Sequence, residues 1–390
     1  MRRGVRCRAQ RPLCSQVQEQ PTVILSQAAG SALLERSRPH LFASAVVAPG
    51  TRIRVDTPGK TRVSVHTGPP GLFAVSAEPP VGSGASPLDW RPIAGGWAVT
   101  SAGVSALQQL RVWVPERFHS VSVTTGGCVS VDRITEGDVD VNLTAADAHA
   151  LLGNLKCGNI HLRTQGGNIT ASLLSGEALG LHSAGGMLKC ERVVGRRVAL
   201  VTADGEMEVN VALVHRIRAV GRHIRMNTLR VSAHARLLSP ASGDIHLRAV
   251  DGEPDAALHV HSGGGALDVG LEAPAETFGA MHLSSGGGRI MLAVPAEWSA
   301  PVRCVSGVVD GSRVANHNLA IPHDPAAFRS RKAAAARHQG ASHMVHAPAA
   351  AQAAGIAVDA GHGAVTLRLR SWLDMALGQD RASKLRIDSP

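Results

Sequence analysis

Nineteen histidines, and a set of acid and amide residues beside glycines, are the side chains of this sequence best suited to chemistry. Asp138, Asn159, Asn168, Glu206 and Asp244 each follow a glycine at a comparable place in a repeating pattern. Stacked in register, such carboxylates would form a column. Two of them roughly 5–9.5 Å apart are the apparatus of glycoside hydrolysis. Elsewhere the same place holds Met187, Ala266 and Arg289, which breaks the column. Asp and Asn also favour turns by bonding nearby backbone, and that is the role expected of them here.

His259 and His261 share one strand face, and aligning the triple-glycine segments sets His282 over His259. Three imidazoles within reach of one another would bind Zn²⁺ or Cu²⁺. All three, together with His161 and His246 of the two IHLR strings, occupy the variable positions of alternating segments. They are therefore expected to face solvent. SGGGALDVG and SSGGGRIM lack the Lys-Ser/Thr and the following helix of a phosphate loop. Ser183 and Ser285 lie beside Gly pairs but in no G-x-S-x-G elbow, so buried hydroxyls are expected there. The six cysteines, Cys7, Cys14, Cys128, Cys157, Cys190 and Cys304, form no C-x-x-C pair. The last four lie in or beside apolar strands and behave as small hydrophobes, which fits a reducing compartment. No residue is assigned to catalysis, to a cofactor or to a metal, and the protein is expected not to be an enzyme.

The elements that carry these residues repeat. Five segments share one template, in which alternating apolar residues lead to Ser/Thr, a glycine corner and a second alternating run. The Ser/Thr falls at Thr164, Ser183, Thr202, Ser262 and Ser285, at steps of 19, 19, 60 and 23 residues. Sixty is three steps of twenty, and SGDIHLRA at 242–249 is a weaker copy inside that interval. Strict alternation over five or six residues is a half-buried strand, so each unit reads strand, corner, strand. A twenty-residue unit cannot bury its apolar face alone, whereas stacked copies share a continuous core. The pattern predicts an all-β chain, a right-handed parallel β-solenoid of about 20-residue two-strand units with a hydroxyl ladder beside its corners. An antiparallel sandwich of glycine-turn hairpins is the rival arrangement. Gly167, Gly186, Gly205, Gly265 and Gly288 are expected to include residues with φ > 0. Ile169, Leu188, Met207, Leu267 and Ile290 are expected to be buried.

Composition sets the boundaries. Residues 1–40 lack periodicity and open with Arg2, Arg3, Arg6, Arg8 and Arg11 without an acid, as an organellar presequence does. Residues 41–115 read as an N-terminal β lead-in and capping region, and 116–310 as the solenoid repeats. An Ala-rich flexible insertion is expected at 311–358, and a final strand with a short helical cap at 359–390. No run of 18 apolar residues exists, so a membrane-spanning helix is excluded. Net charge is +10, but the presequence holds half of it, and elsewhere single arginines alternate with apolar residues. Tyr is absent and aromatics are 3%, which removes a base-stacking platform. Nucleic acid is therefore disfavoured as a partner.

The G-[DN]-[IV]-x-[LV] units with S/T-x-G-G corners resemble the putative-adhesin β-solenoid family, a domain of unknown function. VPERFHSVSVTTGG at 114–127 and VPAEWSAPVRCVSG at 294–307 are similar to that family's opening phrase. GHGAVTLRLRSWLDMALGQD at 361–380 is similar to the tail of an uncharacterised animal member. The resemblance implies a β-solenoid without an established activity, located in mitochondria, and it brings no catalytic residues. The function expected is a binding or scaffold surface that takes an unknown protein or polymer on a solenoid face. The alternatives are a carbohydrate-active parallel β-helix enzyme, marked by carboxylates in a cleft, and a nucleic-acid-binding protein, marked by a contiguous basic face outside the presequence.

Overall fold

The computed structural model describes residues 41–78, 88–101, 108–272, 279–295, 302–309, 319–320 and 355–370. Seven strands come first: β1 Leu41–Val46, β2 Arg52–Thr57, β3 Arg62–Gly68, β4 Leu72–Glu78, β5 Leu88–Ile93, β6 Gly96–Ser101 and β7 Gln109–Pro115. The repeats open with β8 Ser120–Thr125, β9 Val129–Val131, β10 Asp138–Leu143, β11 Ala150–Lys156 and β12 Asn159–Thr164. Four long strands follow: β13 Ile169–Ser183, β14 Leu188–Thr202, β15 Glu206–Val220 and β16 His223–Ser239. Next come β17 Ile245–Gly252, β18 Ala257–Ser262, β19 Leu267–Leu271, β20 Ala280–Ser285 and β21 Ile290–Pro295. β22 Val302–Val309, β23 Leu319–Ala320 and β24 Gly355–Arg370 complete the order. The described residues contain no helix. The presequence and the C-terminal helix expected at 371–390 lie outside them, as does most of the Ala-rich segment.

The strands form a parallel β-solenoid of about eight turns with a repeat near 21 residues. Alternation builds it. In β12, Ile160, Leu162 and Thr164 point inward and are buried, while His161 and Arg163 are exposed. In-register pairing then stacks like on like. Ile160 meets Leu179, then Val198, Ile217, Ala235, Leu258 and Met281 on successive rungs. A second column runs from Ile169 through Leu188, Met207, Ile224, Ile245 and Leu267 to Ile290. Both columns are buried in one continuous core. Each such Val, Leu or Ile contributes about 1.5–3 kcal/mol on leaving water. The ladders define two faces. The first contains β8, β10, β12, the C-terminal halves of β13–β16, β18 and β20; the second contains β9, β11, the N-terminal halves of β13–β16, β17, β19 and β21.

The 60-residue interval does hold three rungs. Val201 pairs with Val220 and Val220 with Leu238, so Gly221 and then Ser239 stand where other rungs have Ser or Thr. The corner glycines differ from expectation. Positive φ falls one residue earlier, at Gly166, Gly185 and Gly287, and not at Gly167, Gly186, Gly205, Gly265 or Gly288. Those five are glycine because they stack. A Cβ on Gly186, Gly205 or Gly288 would be driven into the backbone carbonyl of the corner glycine one rung below, Gly167, Gly186 or Gly265 respectively.

Both ends interleave. β2 pairs with β6 on one side and β8 on the other, and β3 likewise lies between β7 and β9. The chain thus lays down one rung, returns to its outer side, and only then crosses to begin the repeats. At the far end β24 fills the rung between β20–β21 and β22. Antiparallel strands finish the N-terminal end: β5 covers β6, while β4 covers β7 and is covered in turn by β1. Reversed edge strands of this kind blunt the open edge that a parallel stack would otherwise present. Aromatic residues gather here, with Phe73 stacked on Trp90 at 4.9 Å and Trp90 against Trp97 at 4.8 Å.

Candidate functional site

The corner hydroxyls are structural. Thr125, Thr164, Ser183, Thr202, Ser239, Ser262 and Ser285 are buried. Thr164 donates to Gly167 O at 2.8 Å, Ser183 to Gly186 O at 3.0 Å, and Thr202 to Gly205 O at 2.9 Å. Ser262 donates to Gly243 O at 3.0 Å and accepts from Gly265 N at 2.8 Å. These hydroxyls satisfy corner groups that the ladders leave unpaired, as buried polar atoms require. Ser183 and Ser285 belong to this set, and neither is bonded to a base. The thiols are equally quiet. Burial pushes Cys157 and Cys190 up to about 12, well above the range in which a thiolate forms near neutral pH.

Asp138, Asn168 and Asp244, which follow corner glycines, bond the next rung rather than their own turn. Asp138 Oδ1 accepts from Asn159 N at 2.9 Å, Asn168 Oδ1 from Met187 N at 2.9 Å, and Asp244 Oδ1 from Ala266 N at 2.8 Å. Asp138 and Asn159 open strands of the first face, whereas Asn168, Glu206 and Asp244 flank the second, so the five do not share a column. An open depression of about 370 Å³ lies between the N-terminal rungs. Its one lining acid, Asp147, is tied to Lys60 at 2.8 Å.

The histidines do meet. His259 stands beside His282 as the sequence alignment placed it, with ring centroids 6.1 Å apart. His234 joins them at 5.2 Å from His259. The alignment missed His234 because β16 carries a register shift after Val214–Val231, and its corner has no glycine pair. Burial is the first cause that lowers His234, His259 and His261; nearby arginines and histidines add to it. His261 turns to Ser284, at 2.8 Å, and His246 lies on the second face, 3.0 Å from Asp268. Among the described residues, no group of three or more His, Cys, Asp or Glu is placed to hold a metal ion.

Register also aligns the single arginines. On the first face Arg197 pairs with Arg216, Arg216 with His234, Arg218 with Arg236, and Arg236 with His259. From β12 to β20 no outward position of this face holds Asp, Glu, Trp or Phe. Arg216, Arg218 and Arg236 are exposed and make no ion pair among the described residues. The second face is charge-balanced. There Lys189 meets Glu208 at 3.3 Å, and Arg230 meets Asp251 at 3.4 Å. Among the described residues, the second face is thus mixed, while the first face from β12 to β20 is basic and rich in histidine, with Arg216, Arg218 and Arg236 outside any ion pair.

Residues 120–283, from the start of β8 into β20, match the family model described as Toastrack DUF4097. No curated protein matches the chain. Among solved structures the chain is similar to one described as a putative adhesin from Bacteroides fragilis NCTC 9343, with 10% identity and a TM-score of 0.25 over 84% of this chain and 95% of that one. A second is described as a putative cell adhesion protein from Clostridium sporogenes ATCC 15579, with 8% identity and a TM-score of 0.13 over 84% of this chain and 98% of that one.

Proposed function

We propose that this protein is a non-enzymatic β-solenoid whose sheet faces serve as a binding or scaffold surface inside mitochondria. The observation that carries the reading is the separation of its reactive side chains. Among the described residues, the register sets acids and histidines in outward rows, where the contacts they make, such as Asp138 to Asn159 and His246 to Asp268, run from rung to rung along a sheet face. General acid–base and nucleophilic chemistry both need groups that converge in a pocket. Long regular faces suit extended contact instead. The tail at 361–380, with Ser371, Trp372, Gln379 and Asp380, supports a closer relation to the uncharacterised animal protein called family with sequence similarity one-hundred-eighty-five, member A.

The test has two arms. The purified full chain is incubated with acidic polysaccharides and new chain ends are assayed; turnover would overturn the reading in favour of a carbohydrate-active enzyme. Residues 1–45 are fused to a fluorescent reporter, and mitochondrial fluorescence is expected from the acid-free basic start of the chain. A uniformly cytosolic reporter would remove the location.

A further inference from the structure

Like charges directly opposite each other on neighbouring strands destabilise a sheet. The first face nevertheless sets Arg197 beside Arg216 and Arg218 beside Arg236. Among the described residues, Arg197 alone of these four has an acid within ion-pair distance, Glu177 at 3.8 Å, and that carboxylate is shared with Arg196 at 3.2 Å. On the second face of the same rungs, Lys189 is set against Glu208 and Arg230 against Asp251. An unrelieved repulsion confined to one face is the kind of local rule-breaking that marks a functional surface.

We propose that this face binds a nucleic-acid duplex through its phosphates, without reading base sequence. The inference rests on the binding-surface reading above and names its partner. Neighbouring rungs lie about 4.8 Å apart, and outward positions along a strand about 6.7 Å apart. Arg197, Arg216, Arg218 and Arg236 thus project from three rungs, a patch of backbone roughly 10 by 7 Å. A duplex carries one negative charge per ~1.7 Å of axis, a density that such a cluster matches. On the outward positions of the first face from β12 to β20 every fixed cation is arginine, whose planar fork suits phosphate, and none is lysine. The same positions carry no Trp, Tyr or Phe, so single-stranded bases find nothing to stack on. A flat anionic bilayer fits less well than a rod. Asp138 and Asp140 on β10 and Asp359 on β24 bound the basic rungs on the same face, and a plane would press against them. A rod that crosses the face along the strands touches only the rungs between. Membrane docking would also call for apolar side chains that enter the interface; the outward apolar row of this face, Val201, Val220 and Leu238, is partly buried, and among the described residues the exposed large hydrophobics Val46, Phe118 and Leu213 lie elsewhere.

The experiment uses the full chain with Arg2, Arg3, Arg6, Arg8 and Arg11 replaced by Gln, so that the basic start cannot supply the binding. Fluorescence anisotropy follows a labelled 30-base-pair DNA duplex from roughly 50 to 200 mM salt. In this background, R216Q/R218Q/R236Q is expected to lower affinity at least about tenfold. The same variant flattens the slope of log affinity against log salt by about 2.7, or 0.9 per lost phosphate contact. Its melting temperature should hold or rise, because repulsion is relieved. A second-face variant of equal charge, R192Q/R225Q/R289Q, should leave affinity within about twofold. Independently, A199E places an acid in the central row and should weaken binding. The proposal is overturned if the duplex does not bind at 50 mM salt, or if both triple variants lose affinity equally. It is also overturned if a single strand of the same length, phosphatidylserine vesicles or dextran sulfate bind the first face more tightly than the duplex. Any of these failures leaves the non-enzymatic reading intact, since that one turns on polysaccharide turnover.

Discussion

At the residue scale the corner glycines separate two demands that the sequence merges. Gly264 and Gly265 are adjacent and look interchangeable, yet a Cβ on Gly265 would meet the Gly243 carbonyl, while one on Gly264 would meet only Ser242 at ordinary contact distance. Gly265→Ala should therefore cost about 1–3 kcal/mol through backbone overpacking, and Gly264→Ala less than about 0.5 kcal/mol. Urea denaturation checks both; equal costs would return the corners to a purely conformational role. The repeated glycine itself was legible, but its cause was not, because the colliding carbonyl belongs to a residue about 20 positions away. Cysteine behaves more simply. With their thiols held near 12, Cys157 and Cys190 should resist iodoacetamide at pH 8 in the folded protein and react once it is unfolded in urea. Peptide mass mapping reads the difference, and rapid native labelling of either residue would contradict their burial.

At the element scale, inward and outward assignments were legible because alternation is local. Ile169, Leu188, Met207, Leu267 and Ile290 are all buried as the pattern requires. Pairing order was less accessible. Nothing local in β24 says that it stacks on β20 and β21, ahead of β22. Nor could single arginines scattered over β14, β15 and β16 be seen as one cluster until register aligned them. Nearest-neighbour stacking also predicts how damage spreads. Val365, fully buried on β24, contacts the core only through its own rung and its neighbours. Val365→Asp buries an unpaired carboxylate and should open the C-terminal rungs while the centre holds. Hydrogen exchange should then quicken across β20–β24 and stay slow in β13–β16. Uniform loss of protection would show that the solenoid unfolds as a single unit.

At the scale of the whole molecule, the one-sided charge distribution ties stability to pH. His234 is lowered by burial and by Arg236 and Arg216; His259 by burial, His234, His282 and Arg236. His261 is lowered by burial, His282 and Arg236, with Asp359 on β24 acting the other way. Buried His119 is lowered by burial, against a hydrogen bond that its ring donates to the Thr51 backbone carbonyl, which raises it. Each therefore binds protons more weakly when folded than at the ordinary value near 6.5 that applies once the chain unfolds. Between those two values the unfolded chain holds more protons, so stability is full above about pH 6.5 and falls as the medium is acidified through the folded values. Few carboxylates titrate above pH 5.5, so histidine dominates that window. The melting temperature should therefore be lower at pH 5.5 than at pH 7.5. Added salt should restore part of the loss, because it screens the repulsion among exposed cations. R216Q/R236Q removes the arginines that oppose protonation of His234 and should make the decline shallower. A melting temperature that stays level across this range, or a double variant as acid-sensitive as the parent, would mean that the basic face does not control these histidines.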